Sequence, residues 1–190
     1  MGSQENIYEI SQGLPEPKDD GACDHLPGVR LPSVSLVSTA GDSVDLSTLE
    51  GTNVVYCYPL TGRPDRDLPP GWDAIPGARG CTPQSCAFRD HHAELKELGA
   101  RVFGLSTQDT AYQREAAERL HLPFPLLSDE KQELARALEL PTFEAEGMTL
   151  VKRLTMIVED GQIRKVFYPV FPPGRNVEDV LSWLSEHSAS

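Results

Sequence analysis

The chain has 190 residues, 39% of them hydrophobic and 24% charged, with a net charge of −12 and a pI near 4.8. That composition belongs to a globular domain large enough for a sizeable core, and its acidity excludes nucleic acid and anionic membrane surfaces as principal partners. No apolar run reaches the roughly 18 residues of a membrane span, and residues 1–20 lack the basic start and apolar stretch of a secretory leader.

Gly2 opens no myristoylation pattern, because position 6 is Asn. The four cysteines, Cys23, Cys57, Cys81 and Cys86, are too few for a disulfide-stapled scaffold of this length. The expected compartment is therefore the reducing cytoplasm, where thiols serve as metal ligands, catalytic groups or core filler. Residues 1–28 are expected to form a partly flexible N-terminal arm, and residues 29–188 a single domain.

Residues 31–47 read as a hairpin, with Val34, Leu36, Val44 and Leu46 on either side of a turn at Gly41-Asp42. Val54 to Tyr58 is a short β-branched and aromatic run, expected as a buried central strand. Residues 59–80 are rich in Pro and Gly and read as a long loop, a kind that is usually functional or mobile. A helix follows, with Thr82 as its cap, Pro83 at its first position and Phe88, His92 and Leu95 facing inward.

Arg101 to Leu105 is the next strand; Tyr112, Ala116 and Leu120 mark a helix that ends before Pro123. Leu126-Leu127 reads as a short strand, and Leu134 and Leu138 mark a short helix before Pro141. Two strands, 154–158 and 163–170, meet at Asp160-Gly161, a strong hairpin signal. Asn176 is expected to cap a last helix with Val177, Val180, Leu181, Trp183 and Leu184 in the core. This order implies an α/β fold with a mixed central sheet covered by helices. It fits the thioredoxin fold with an added N-terminal β-hairpin, without singling that fold out.

The stretch Gly80-Cys81-Thr82-Pro83-Gln84-Ser85-Cys86-Ala87-Phe88-Arg89-Asp90 carries the chemistry. Cys81 stands where the loop meets the helix, near unpaired backbone N–H groups and the positive end of the helix dipole. Both favour a thiolate, the nucleophilic form of cysteine. Cys86 lies a turn and a half further on, where that effect is weaker. The two cysteines also fit a zinc pair, with His25, His91, His92 or Cys23 completing four ligands. His92, on the apolar face, reads as a core histidine, and His91 as solvent-facing. Cys57 reads as core filler, Cys23 as a bystander thiol and Arg89-Asp90 as a local ion pair. Trp72 has no evident burial partner.

Gly80-Cys81-Thr82, Cys86 and Phe88-Arg89-Asp90 resemble the active-site segment of the peroxiredoxin Q subfamily, the bacterioferritin-comigratory proteins. Residues 104–107, 122–129 and 153–161 resemble three further segments of that family, in family order. The resemblance extends over most of residues 30–185. It implies a thioredoxin-like peroxiredoxin domain that reduces hydrogen peroxide or organic hydroperoxides. It implies Cys81 as the thiol attacking peroxide, Cys86 as a resolving thiol that forms an intramolecular disulfide with it, and Arg153 as the arginine facing the Cys81 sulfur. No metal or organic cofactor is implied. The implied partners are peroxide and a dithiol reductant such as a thioredoxin-like protein, with the chain acting as monomer or homodimer. One departure stands out. The family places a proline seven positions before the reactive cysteine, and a Thr or Ser three before it. Here Pro59 is 22 positions before Cys81, and Ala78 occupies the hydroxyl position. Thr61 is the candidate to replace that hydroxyl. The reading from another functional class is a zinc-stabilised or redox-sensing binding module that uses Cys81 and Cys86 as ligands or as a switch.

Overall fold

Val54 to Tyr58 alternate between two apolar environments, and that alternation organises the molecule. In the computed structural model, which describes residues 13–187, Val55 and Cys57 enter one core while Val54, Tyr56 and Tyr58 enter another. The strand that carries most of them, β3 (Thr52–Cys57), is central in a seven-stranded sheet. The period-two placement of side chains puts one apolar cluster on each face.

In chain order, β1 (Leu36–Ser38) and β2 (Ser43–Val44) form the N-terminal hairpin and precede β3. After the long loop come α1 (Cys81–Asp90), α2 (His92–Glu97), β4 (Ala100–Ser106), α3 (Thr110–Arg119), β5 (Leu126–Ser128) and α4 (Glu133–Ala137). Then follow β6 (Thr142–Ala145), β7 (Met148–Val151), β8 (Leu154–Glu159), β9 (Gln162–Phe167) and α5 (Asn176–His187). The sheet order is β2-β1-β5-β4-β3-β8-β9. Strands β3, β4 and β5 are parallel, whereas β8 and β9 are antiparallel to their neighbours, so the sheet is mixed. Phe88, Leu95, Ala116, Val177, Val180 and Leu184 bring α1, α2, α3 and α5 onto one face. Leu134 and Ala135 bring α4 onto the other, beside Cys23 and Leu26 of the N-terminal segment. The α/β fold with helices on both faces and an added hairpin is as expected. Residues 1–12 of the anticipated arm, and residue 188, lie outside the described residues.

Local details differ from the sequence reading. The first helix starts at Cys81 with Gly80 as its cap residue, so Thr82 is a buried helical residue rather than a cap. Gly80 has φ +122°, and a Cβ there would come within 2.4 Å of the Pro173 ring, so only glycine fits. The expected single helix breaks at His91 into α1 and α2. Asn176 is the first helical residue of α5, and its side chain faces α1 instead of capping its own helix. Trp183 is half-buried and stacks on His187 at 3.9 Å, at the edge of the core. The last strand stops at Phe167, before Pro169. The hairpin β6–β7, turning at Glu146-Gly147, was not anticipated.

Candidate active site

Cys81 is the first residue of α1 and is 3% exposed. No side chain caps that helix, so its first N–H groups remain directed at the loop end where the sulfur sits. Arg153, between β7 and β8, reaches it: Nη2 donates to Cys81 Sγ at 3.1 Å. The same Nη2 donates to the Ala78 carbonyl at 3.0 Å, and Nη1 donates to Gln84 Oε1 at 2.6 Å. Arg153 is 4% exposed, and its Nε has no partner. Among the described residues no carboxylate lies within ion-pair distance of it. A buried guanidinium without a counter-ion is costly. The Cys81 sulfur, at 3.1 Å, is among the atoms packed directly against it.

Gln84 stands three residues after Cys81 on α1 and is fully buried. A guanidinium only donates, so the Gln84 oxygen must face Arg153 and its amide nitrogen must face away. That nitrogen donates to Asn176 Oδ1 at 3.3 Å, which also accepts from Thr155 Oγ1 at 2.5 Å. A polar chain therefore runs from β8 through α5 and α1 to the guanidinium. The sequence reading gave Gln84 and Thr155 no role, and gave Asn176 only that of a helix cap. The signal available for Gln84 was its i, i+3 spacing from Cys81, which puts both on one helix face.

Cys86 is half-buried on the same helix. Burial pushes its thiol up, with Arg89 opposing. Arg89 pairs locally with Asp90 at 3.0 Å and donates to the Leu120 carbonyl. Cys86 is five positions on from Cys81 inside α1, so the structure puts them on one element but not face to face.

Thr61 is buried, and no hydrogen bond links it to Cys81 or Arg153 among the described residues. Its N–H donates to Gln108 Oε1 at 3.2 Å and its carbonyl accepts from the Tyr112 hydroxyl at 2.8 Å. Its side chain lies beside the Tyr58 phenol, which Ser106 and Gln113 also flank and which shares a core cluster with Cys81. The Tyr58 hydroxyl is buried with no partner in hydrogen-bond geometry, and burial holds the phenol well above its ordinary pKa.

The zinc arrangement does not assemble. Among the described residues, no three His, Cys, Asp or Glu side chains could hold a metal ion. His25 bonds the Leu138 carbonyl at 2.8 Å, and His91, partly exposed, pairs with Glu94 at 2.9 Å. His92 is half-buried against Phe124. Cys23 and Cys57 share the core on the sheet face opposite Cys81. Burial, aided by Asp20, Asp19 and Asp24, pushes the Cys23 thiol up to about 12, and burial also raises Cys57. Both cysteines are core residues, Cys23 included. Trp72 also has its place: it is 3% exposed, its ring 5.9 Å from that of Phe143, in a small core with Leu60, Ala78 and Leu150.

The Redoxin family model matches residues 26–183. Peroxiredoxin Bcp of Escherichia coli K12 is 32% identical over 166 residues, covering 85% of this chain and 96% of that protein. The chloroplastic peroxiredoxin Q of Suaeda salsa is 29% identical over 158 residues, covering 83% of this chain and 66% of that one. This chain thus spans slightly less than two thirds of that chloroplastic relative. The crystal structure of peroxidoxin BcpB from Mycobacterium tuberculosis superposes with a TM-score of 0.70 at 26% identity, covering 86% of this chain and 99% of that chain. The chain belongs to the redoxin family, among the peroxiredoxins of the Q/Bcp group.

Proposed function

We propose that the chain is a thiol-dependent peroxidase acting through Cys81. The contact between Arg153 Nη2 and Cys81 Sγ at 3.1 Å, inside a buried site with no competing carboxylate, carries this reading. The Cys81 thiolate attacks the terminal oxygen of R–O–O–H. An S–O bond forms as the O–O bond breaks, leaving Cys81 sulfenic acid and an alkoxide that takes up a proton to become R–OH. Arg153 holds the sulfur, and its unpartnered Nε is the donor free to meet charge developing on the peroxide. Thr61 is the candidate hydroxyl for the same oxygens, supported by its burial beside Tyr58.

The Cys86 thiol then condenses with the sulfenic acid, releasing water and forming an intramolecular disulfide. A dithiol reductant, such as a thioredoxin-like protein, takes over that disulfide and restores both thiols. No described helix is long and apolar enough to cross a membrane, and the four cysteines are free.

The test is rapid mixing with hydrogen peroxide. Cys81→Ser should consume none, whereas Cys86→Ser should complete one fast turnover and stop at the sulfenic acid. A fast first turnover in Cys81→Ser would remove Cys81 from the role.

A further inference from the structure

Arg153 immediately precedes β8 and Thr155 is the second residue of that strand. Standing two positions apart, they send their side chains to the same face of the sheet, the face whose core holds Ile157 and Cys81. There they reach two different helices. Arg153 Nη1 donates to Gln84 Oε1 of α1 at 2.6 Å, and Thr155 Oγ1 donates to Asn176 Oδ1 of α5 at 2.5 Å. The ring closes between the helices, where Gln84 Nε2 donates to the same Asn176 oxygen at 3.3 Å. All four side chains are buried. The turn that delivers Asn176 is pressed onto the start of α1, with the Pro173 ring packed over Gly80.

Donor and acceptor roles around this ring are set from one end. The guanidinium only donates, so the Gln84 amide turns its oxygen to Arg153 and its nitrogen to Asn176. Asn176 has to meet that nitrogen with its own oxygen, and the Thr155 hydroxyl then donates to the same atom. Either amide turned the other way would set two N–H donors against each other in a buried site. Gln84 is therefore satisfied at both ends in one orientation, the one that holds Arg153. The guanidinium is rigid and planar, so a tilt at Nη1 also moves Nη2, which meets the Cys81 sulfur at 3.1 Å, and the unpartnered Nε. Both partners of the Asn176 oxygen lie on other elements, and α5 has Glu178 and Asp179 in its first turn to meet its own dipole. What Asn176 serves is thus the arrangement around Gln84 rather than its own helix.

We infer that Asn176 is a positioning residue of the peroxidase site: it holds the Gln84 amide in the one orientation that keeps the Arg153 guanidinium on the Cys81 sulfur, and Thr155 completes the hold. The inference rests on the peroxidase reading and adds to it a residue of the last helix. Without the Asn176 oxygen, Gln84 Nε2 is a buried donor with no acceptor, and the amide gains by turning away from Arg153 to find one. The thiol and the guanidinium both remain, but their alignment is lost.

The test measures the second-order rate constant for Cys81 oxidation by hydrogen peroxide in rapid-mixing experiments. Asn176→Leu should lower it about tenfold, the scale of a misplaced catalytic group rather than a missing one. Thr155→Val, which keeps the shape of the strand residue, should lower it about threefold, because Asn176 keeps its place but loses one of the two donors that fix its amide. The decisive measurement repeats both changes in a Gln84→Glu background. A carboxylate offers Arg153 an oxygen whichever way it turns, so it has no wrong orientation for Asn176 to prevent. There each change should alter the rate constant by less than about twofold relative to Gln84→Glu alone. A role in anchoring α5 would carry the full loss into that background. That result, or wild-type rates in both single variants, would overturn the assignment. If thermal melts show Asn176→Leu to be unfolded, Thr155→Val with and without Gln84→Glu decides by the same criteria. Fast oxidation of the wild type leaves the peroxidase reading standing whichever way the variants fall. A wild-type Cys81 that peroxide leaves reduced would bring down both.

Discussion

Forming the Cys81–Cys86 disulfide should unwind the first half of α1 and leave its second half in place. Five residues of α-helix rise about 7.5 Å and turn about 500°, which leaves the two Cα atoms about 8.7 Å apart. A disulfide needs about 4.4–6.8 Å, so the backbone must close by roughly 2 Å or more. Rotamers cannot supply that, because the two positions also sit about 140° apart around the helix. The closing movement must break the Arg153–Cys81 contact and the bond from the Gln84 N–H to the Gly80 carbonyl at 3.0 Å. It must also lift Gly80 away from Pro173. Phe88 resists further unwinding. It is fully buried and stacks on Tyr56 at 4.7 Å with 6° between the ring planes. Tyr56 also bonds Ser85 at 3.0 Å, a contact the movement has to give up.

Amide exchange by mass spectrometry, on reduced protein and on protein oxidised with one equivalent of peroxide, reads the difference. A helix amide protected by about 4 kcal/mol exchanges roughly a thousandfold slower than an open one. Residues 84–86 should lose protection of that order on oxidation, while residues 88–90 keep most of theirs. A peptide-mapped Cys81–Cys86 bond with unchanged exchange across residues 84–86 would refute the reasoning, since the helix would then have been discontinuous before oxidation.

Arg153→Ala should lower the rate of Cys81 oxidation about 100- to 1,000-fold, Arg153→Lys should recover only part because an ammonium cannot bridge Gln84, Ala78 and the sulfur at once, and stopped-flow oxidation kinetics check both. Burial, with Lys96 adding to it, holds the His92 imidazole below its ordinary 6.5; the folded state therefore binds that proton more weakly than the unfolded chain, and the stability His92 contributes above about pH 6.5 is lost as pH falls through the depressed value. Thermal melts from pH 8 to pH 5 should show that loss, and His92→Phe should flatten it; an unchanged slope would acquit His92. Native protein treated with iodoacetamide at pH 8 should be labelled at Cys86 and spared at Cys23 and Cys57, which burial keeps protonated, with both becoming reactive in guanidinium, as peptide mass mapping would show.

The central sheet was legible because local signals and burial agree there. Val54 to Tyr58 and Leu154 to Val158 are β-branched or apolar on both faces, as strands covered on both sides must be. Asp160-Gly161 has positive φ at both residues, at 48° and 79°, as its dipeptide suggested. Glu146-Gly147 has the same backbone, at 49° and 75°, but Glu is not a usual turn former and β6 alternates exposed with half-buried residues, so that hairpin gave little signal. Asn176 failed as a cap for a tertiary reason. It looks like one locally, yet its oxygen is taken by Thr155 and Gln84 from two other elements. Period-based reading of a helix face also assumes an unbroken helix. The turn at His91 spoils that phase and leaves His92 half-buried rather than in the core. Arg153 could be placed from sequence only through the family resemblance; on composition alone it is an arginine at a strand start.

The long loop explains how the site keeps its geometry although the family motif is interrupted. Extending the connection from about seven positions to about 22 raises the closure entropy by only about 1 kcal/mol. Holding its residues in one conformation costs far more, at about 1–2 kcal/mol each. A loop left to itself would therefore stay loose, and Cys81 would have no fixed partner. This loop carries its own apolar side chains instead. Trp72 buries against Phe143, and Leu60 at the loop's start and Ala78 near its end enter the same small core as Leu150 of β7. Arg79 pairs with Asp73 at 2.8 Å and braces the last turn. The two ends are thereby held together. The Ala78 carbonyl is then set 3.0 Å from Arg153 Nη2, the same nitrogen that meets the sulfur. Where the family has a hydroxyl side chain three residues before the cysteine, this chain has Ala78, whose carbonyl accepts from Arg153 Nη2, so the loop's core and the position of that arginine depend on one another.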